Sequence, residues 1–188
     1  MSPWIIAIIV IAVIILAIVI GSYNGLVKLN ERVEEAWSDI TVQLKYRADL
    51  IPNLVDTIKG YAKHEKDVIQ AVSDARAKMM GARSVASTAE ADQGLTGALS
   101  RLMAISESYP ELKANENFKE LQTQLQDCED KLQAARRFYN SGAKELNTKI
   151  KTFPTNIINK FLGFKTRDYY DVEEAEKAKI SNAPEVKF

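Results

Sequence analysis

The sequence predicts an all-α protein in which an N-terminal transmembrane helix continues into an antiparallel helical bundle with two long and two shorter helices. Three observations lead to this fold class. No charged side chain precedes Lys28, and apolar residues after it recur at steps of three and four, the period of one helix face. No segment alternates between apolar and polar residues with period two, so no sheet is expected.

The first element is a membrane anchor over residues 1–23. An unbroken apolar run extends from Trp4 to Ile20. At about 1.5 Å per residue, a helix from Pro3 to Tyr23 is about 30 Å long, the thickness of the hydrocarbon core of a bilayer. The residues expected to meet lipid include an aromatic ring at each interface and are Trp4, Ile5, Ile9, Ile15, Ile20 and Tyr23.

A cleaved secretory signal is the alternative to an anchor. Such a signal has basic residues before a shorter apolar run and a small-residue cleavage site after it, and this run matches those features poorly. Positive charges follow the run, from Lys28 and Arg32 onward, so the positive-inside rule favours a cytoplasmic body with the N-terminus outside.

The body, residues 24–164, begins with a long helix that continues directly from the anchor. Pro52 predicts a kink or a restart in it. Its buried stripe is expected to contain Val33, Trp37, Ile40, Leu44, Ile51, Leu54, Val55, Ile58 and Ala62. A shorter helix follows Glu65.

The rest of the body predicts a linker and two further helices. Residues 81–97 are small and polar, which indicates a mobile linker. A third helix should carry Leu95 to Ile105, and a fourth, with the most regular stripe, should run from Phe118 to Phe153 and stop at Pro154. Residues 165–188 form a charged C-terminal tail.

Composition argues against nucleic acid as a partner and against enzymatic activity. The 25 basic and 25 acidic residues balance, so there is no net basic face for phosphates and no reason to expect a polybasic lipid-binding patch. His64 and Cys128 are the only histidine and cysteine, too few for a di-iron or zinc site. Cys128 lies on an apolar stripe, where a buried cysteine is expected. No cofactor, metal or catalytic residue is predicted.

One charge lies on an apolar face of the first long helix. Arg47 projects within the arc of Ile40, Leu44 and Leu54. A buried guanidinium requires a partner, and Glu129 on the fourth helix is the predicted one, forming a buried polar pair. The alternative is that Arg47 extends past the stripe into water.

Apolar residues outside the buried stripe predict a surface for neighbouring copies of the chain. Val42 and Tyr46 lie on the opposite face of the first long helix. Together with Trp37, Phe161 and Tyr170 they form the candidate oligomer interface, although single exposed apolar residues are also ordinary on protein surfaces. Parallel anchors raise the local concentration of such surfaces in the membrane.

Two sets of motifs resemble the LemA family over nearly the whole chain. The first set includes AWSDI at 36–40, DLIPNLV at 49–55 and KGYA at 59–62, and the second includes LKANENF at 112–118, ARR at 135–137, YN at 139–140 and FP at 153–154. The resemblance implies a single-pass protein of the bacterial inner membrane with a helical-bundle body.

The function expected from these features is a non-enzymatic helical stalk that self-associates as a scaffold or membrane-shaping assembly. Its expected partners are the lipid bilayer and further copies of the chain, a homo-oligomer. The alternative is a monomeric adaptor that presents a helical groove to another membrane protein, such as a protease or a sensor.

Overall fold

The structure, a computed structural model, describes residues 2–62 and 64–170 and confirms the all-α prediction. The helices in chain order are α1 (Pro3–Lys59), α2 (Lys66–Gly81), α3 (Val85–Ser106), α4 (Pro110–Ala114), α5 (Glu116–Lys151) and α6 (Thr155–Leu162). The described residues contain no strand. Two short helices, α4 and α6, were not predicted. Residues 171–188, most of the predicted tail, lie outside the described part of the chain.

The backbone divides into two compact units. Among the described residues, the first comprises 2–40 and 134–169, and the second comprises 41–62, 64–133 and Tyr170. Each is described separately below.

In the first unit, α1 and α5 run antiparallel. Trp37 packs on Tyr139 with ring centroids 5.6 Å apart, and Arg32 pairs with Glu145 at 3.1 Å, so residue numbers fall along one helix as they rise along the other. The Val33 side chain packs closely against the backbone at Gly142, where a methyl group would lie 3.3 Å from Val33 Cγ2. Glycine permits this approach because it has no Cβ.

In the second unit, α1 continues through Pro52 without a restart. A proline within a helix removes the N–H that would bond to the carbonyl four residues earlier, here that of Ala48. Arg76 of α2 donates from Nε to this carbonyl oxygen at 2.7 Å. The proline therefore leaves an acceptor that a neighbouring helix satisfies.

The prediction of a mobile linker over residues 81–97 is wrong for most of that range, because residues 85–97 belong to α3, which begins at Val85. Ser84 caps this helix: its side chain accepts from the Ser87 N–H, and the Ser87 hydroxyl accepts from the Ser84 N–H. This reciprocal arrangement satisfies donors that a helix start leaves free. Buried residues then recur along α3 with helical period, at Thr88, Asp92, Leu95, Leu99, Leu102 and Ser106.

Candidate functional site

A buried arginine lies at the centre of the second unit. The side chain of Arg47 is 6% exposed and projects from α1 beside the buried residues Leu44, Ala48 and Ile51. Removing a charge from water costs several kcal/mol unless it is paired and hydrogen-bonded. The position therefore requires anionic partners.

Two carboxylates from two other helices meet this guanidinium. Arg47 Nη1 donates to Asp92 Oδ1 of α3 at 2.8 Å and lies 3.1 Å from Glu129 Oε2 of α5. Asp92 is almost completely buried, whereas the Glu129 side chain retains some exposure. The structure thus brings Arg47 and Glu129 together and adds Asp92, which the sequence analysis assigned to a linker.

Tyr170 completes this group of side chains, which we call the Arg47 cluster (Arg47, Asp92, Glu129 and Tyr170). The Tyr170 hydroxyl donates to Asp92 Oδ2 at 2.7 Å, and the ring is buried. The prediction that Tyr170 belongs to an oligomer interface is therefore wrong, since its ring and hydroxyl face the interior. The buried Asp92 carboxylate accepts one hydrogen bond on each oxygen, from Arg47 on Oδ1 and from Tyr170 on Oδ2, and the second bond keeps the Tyr170 hydroxyl in the interior.

Cys128 lies next to the Arg47 cluster and behaves as a protonated core residue. It is buried, and its thiol donates to the Gln43 carbonyl oxygen at 3.3 Å. Burial raises the pKa of the Cys128 thiol, an effect that the nearby Arg47 charge opposes and the charges of Glu129 and Asp92 reinforce. Because the thiolate is the reactive form, this environment disfavours nucleophilic chemistry.

The Arg47 cluster is suited to fixing helix register. One cation, two carboxylates and a phenol join α1, α3, α5 and residue 170 through bonds that require a single alignment. In the part of the chain that the structure describes, no group of three or more His, Cys, Asp or Glu side chains is placed to hold a metal ion. The geometry supports a structural role better than a ligand site.

A second arginine, which the sequence analysis missed, organises the first unit. Arg167 donates from Nη2 to Asn30 Oδ1 at 2.9 Å and pairs with Glu34. Its backbone N–H and carbonyl bond to the side chain of Asn147, each at 2.8 Å. The Tyr139 hydroxyl donates to the Asp168 carbonyl oxygen at 2.9 Å, and burial raises the pKa of Tyr139. Residues 167 and 168, predicted as tail, are held against α1 and α5.

The remaining predicted interface residues differ in exposure. Val42 is 58% exposed and Tyr46 is 44% exposed, one turn apart on α1. Trp37 is half-buried against Tyr139, so only part of its ring is available for contact with another copy of the chain. Phe161 on α6 is 89% exposed.

The predicted anchor lies in α1, which by length and composition is sufficient to cross a membrane. Only 6% of its most apolar 18-residue window is buried within the protein. The anchor residues are all exposed: Trp4, Ile5, Ile9, Ile15, Ile20 and Tyr23. A core helix would be mostly buried.

Comparison with known proteins assigns the family. The model of the LemA family matches residues 36–188. The chain belongs to the LemA family. Magnetosome protein MamQ 2 of Paramagnetospirillum magneticum is 27% identical over 179 residues, covering 81% of this chain and 66% of the relative. MamQ of Magnetospirillum gryphiswaldense gives the same identity and coverage. This LemA family chain thus spans slightly less than two thirds of those relatives.

A relative that carries the family name is also similar. Protein LemA of Metamycoplasma hominis is 25% identical over 165 residues, covering 87% of this chain and 75% of the relative. Together with the exposed apolar segment of α1, the family assignment identifies a membrane-associated helical protein.

This LemA family chain also carries an open groove of about 1010 Å³ between α2 and α3. Small residues form much of its lining, including Ala71, Ala75, Gly94 and Gly97. Charged side chains of both signs border it, among them Lys78 and Glu90.

Proposed function

We propose that this chain is a non-enzymatic, single-pass membrane protein whose helical body self-associates side by side as a scaffold or membrane-shaping assembly. The observation that carries the proposal is the exposure of Val42 and Tyr46, two apolar side chains one turn apart on α1. Residues at i and i+4 share one helix face, so the two form a continuous apolar surface.

Membrane attachment makes such a small surface sufficient. Tethered copies diffuse in two dimensions at high effective concentration, so a contact that is weak in solution is occupied in the membrane. A stable interface between soluble proteins buries about 1,200–2,000 Å², far more than these two side chains supply. The scaffold therefore depends on the anchor.

The assignment as a non-enzyme is supported by the chemistry of the polar groups. The Arg47 charge faces two carboxylates, and the Cys128 thiol has a raised pKa. His64 lies in the turn after α1, on a different element from Cys128. We further propose that the membrane is the bacterial inner membrane and that the body is cytoplasmic, since basic residues follow the anchor.

The size of the full-length protein in mild detergent tests the scaffold. We expect wild type to form particles larger than a monomer by size exclusion with light scattering. The double variant Val42→Lys/Tyr46→Lys should shift to monomer with unchanged helical circular dichroism, because like charges would meet at a repeated interface. These positions are exposed, so the fold should tolerate the changes.

The matched control places the same two charges on another exposed face. Gln126 and Gln133 are exposed on α5. Gln126→Lys/Gln133→Lys should remain assembled, and equal dissociation of both variants would attribute the effect to net charge. A strictly monomeric wild type would refute the scaffold.

The second candidate function is a monomeric adaptor for another membrane protein, and the groove between α2 and α3 favours it. Its small lining residues leave room for a helix of a partner. Under this alternative, wild type is a monomer in detergent, and bulky changes at Gly94 and Gly97 abolish capture of a membrane partner while the fold is retained.

A further inference from the structure

The helix α6 presents apolar side chains to solvent beside the end of the anchor. Phe153, in the turn before α6, is 73% exposed, and Phe161 is 89% exposed. Ile157 is also exposed and lies one turn before Phe161 on the same helix face. The opposite face contains buried Thr155 and half-buried Ile158 and Leu162. Neighbouring exposed apolar side chains of this size are typical of a surface that contacts a protein or a membrane.

Contacts within the first unit place α6 near the point where the apolar segment of α1 ends. A Cβ on Gly25 would lie 3.9 Å from Lys149 Cε, so α5 is level with Gly25 at that point. α5 ends two residues later, at Lys151, and the turn that contains Phe153 follows it directly. The Phe164 ring, just after α6, packs edge-on against Tyr23 with centroids 6.2 Å apart.

The turn after α6 holds this position. Gly163 adopts the left-handed conformation, with φ 76°, that ends many helices. The Asn159 side chain accepts from the Phe164 N–H at 3.0 Å and donates to the Phe164 carbonyl oxygen at 2.8 Å. These bonds direct the Phe164 ring toward Tyr23, whose ring suits a membrane–water interface.

The segment from the end of α5 to the turn after α6 is basic. Residues 147–167 contain five basic side chains and no acidic one. Four of them are lysines, of which Lys151, Lys160 and Lys165 are exposed. This local excess of basic residues is not visible in the net charge of the chain, which is zero. The antiparallel packing of α5 on α1 places the basic segment near the end of the anchor, where lysines can contact lipid phosphates.

We infer that α6 is an interfacial helix that inserts Phe153, Ile157 and Phe161 into the bilayer leaflet beside the anchor, with Lys151, Lys160 and Lys165 facing lipid phosphates. The occupant of this apolar face is the bilayer surface. Its supports are the Tyr23–Phe164 contact, the register of α5 with α1, and the excess of basic residues. The inference goes beyond the scaffold, which concerns the Val42 and Tyr46 surface.

The test uses the full chain in nanodiscs that contain one copy each, so that bilayer contact and contact between copies are separated. A cysteine at Phe161 or Ile157 carries an environment-sensitive fluorophore, in a Cys128→Ser background that retains a hydroxyl able to bond Gln43. The lipid is phosphatidylcholine, alone or with one quarter phosphatidylglycerol. The control label is at Thr123, an exposed position on α5 in the second unit.

We expect blue-shifted emission at positions 157 and 161 and quenching by brominated lipids. Quenching should be strongest with bromine on the upper acyl carbons, because interfacial helices lie about 5–10 Å into the headgroup and acyl boundary. The Thr123 label should show neither effect. Lys160→Gln/Lys165→Gln should reduce the additional shift produced by phosphatidylglycerol.

Water-like emission at both 157 and 161 in single-copy nanodiscs would overturn the inference. If the shift appeared only when several copies shared a nanodisc, the face would instead contact a second copy. Neither result depends on Val42 and Tyr46, so the scaffold and the interfacial helix can fail separately. Circular dichroism of each labelled variant establishes that the fold is retained.

Discussion

Two arginines organise the two units in opposite ways. The side chain of Arg47 is 6% exposed and meets two carboxylates, one of them almost completely buried, whereas that of Arg167 is 35% exposed and pairs with the largely exposed Glu34. Arg47 projects from α1 beside buried apolar residues, and the backbone of Arg167 forms two hydrogen bonds with the Asn147 side chain. An arginine side chain therefore lies in the core of the second unit, whereas in the first unit an arginine side chain forms a partly exposed ion pair.

The difference predicts where stability is concentrated. Breaking a buried ion pair leaves an uncompensated charge in the interior, whereas water replaces the partner of an exposed one. Three substitutions, measured by chemical denaturation of the detergent-solubilised protein, should reveal a graded series.

The largest effect is expected at Arg47. Arg47→Met should reduce the free energy of unfolding by about 3–5 kcal/mol, because Asp92 and Glu129 lose their shared cation. The double variant Arg47→Met/Asp92→Leu should recover much of this loss, since it also removes the most deeply buried carboxylate. A double variant no more stable than Arg47→Met would show that the two side chains are not coupled.

An intermediate effect is expected at Tyr170. Tyr170→Phe should cost about 1.5–3 kcal/mol, because it removes a hydrogen bond to a buried carboxylate and preserves the ring. Tyr169 is exposed and provides a matched control, so Tyr169→Phe should leave stability nearly unchanged. Equal effects at the two positions would contradict the assigned role of the Tyr170 hydroxyl.

The smallest effect is expected at Arg167. Arg167→Gln should cost about 0–1 kcal/mol, since the Glu34 pair is partly solvated and the backbone bonds to Asn147 remain. Added salt should diminish even this difference, because exposed charges are screened. A loss as large as that of Arg47→Met would show that exposure does not govern the two arginines.

The sequence predicted the parts of this fold that depend on helix period and residue charge. The anchor follows from the length of its uncharged apolar run, and the stripe of α1 and the position of Arg47 on it follow from 3.6-residue spacing. Glu129 followed from the need of a buried cation for an anion. The anchor, the stripe and the position of Arg47 each depend on one helix, and the Glu129 pairing depends on the charge of one residue.

Asp92 was not predicted as a buried residue, because the small and polar composition of residues 81–97 indicated a linker although their buried positions recur with helical period. Residues 81–97 are small and polar, which is typical of linkers, but Ser84 and Ser87 form a cap and the buried stripe of α3 begins at Thr88. Asp92 occupies a stripe position, as Arg47 does on α1. If α3 is taken to begin at the Ser84 cap, helical spacing places Asp92 on its buried stripe, just as it places Arg47 on the stripe of α1.

The contribution of Tyr170 and the position of α6 could not be deduced from spacing. Both depend on where the chain turns after Pro154, which is fixed by Gly163, Asn159 and the tether of Arg167 to Asn147. These are contacts between segments distant in sequence. Aromatic residues in such a segment suit an interface as well as a core, so the sequence favoured the wrong role for Tyr170.

The composition of the Arg47 cluster also sets an order of events during synthesis. Asp92 follows Arg47 by 45 positions and Tyr170 follows Asp92 by 78. At about 5–20 residues per second, the ribosome delivers Asp92 about 2–9 s after Arg47, and Tyr170 later still. Until these residues have been made, Arg47 lacks the carboxylates that it meets in the folded protein. The Arg47 cluster can therefore be completed only after Tyr170, the last residue that the structure describes, has been synthesised.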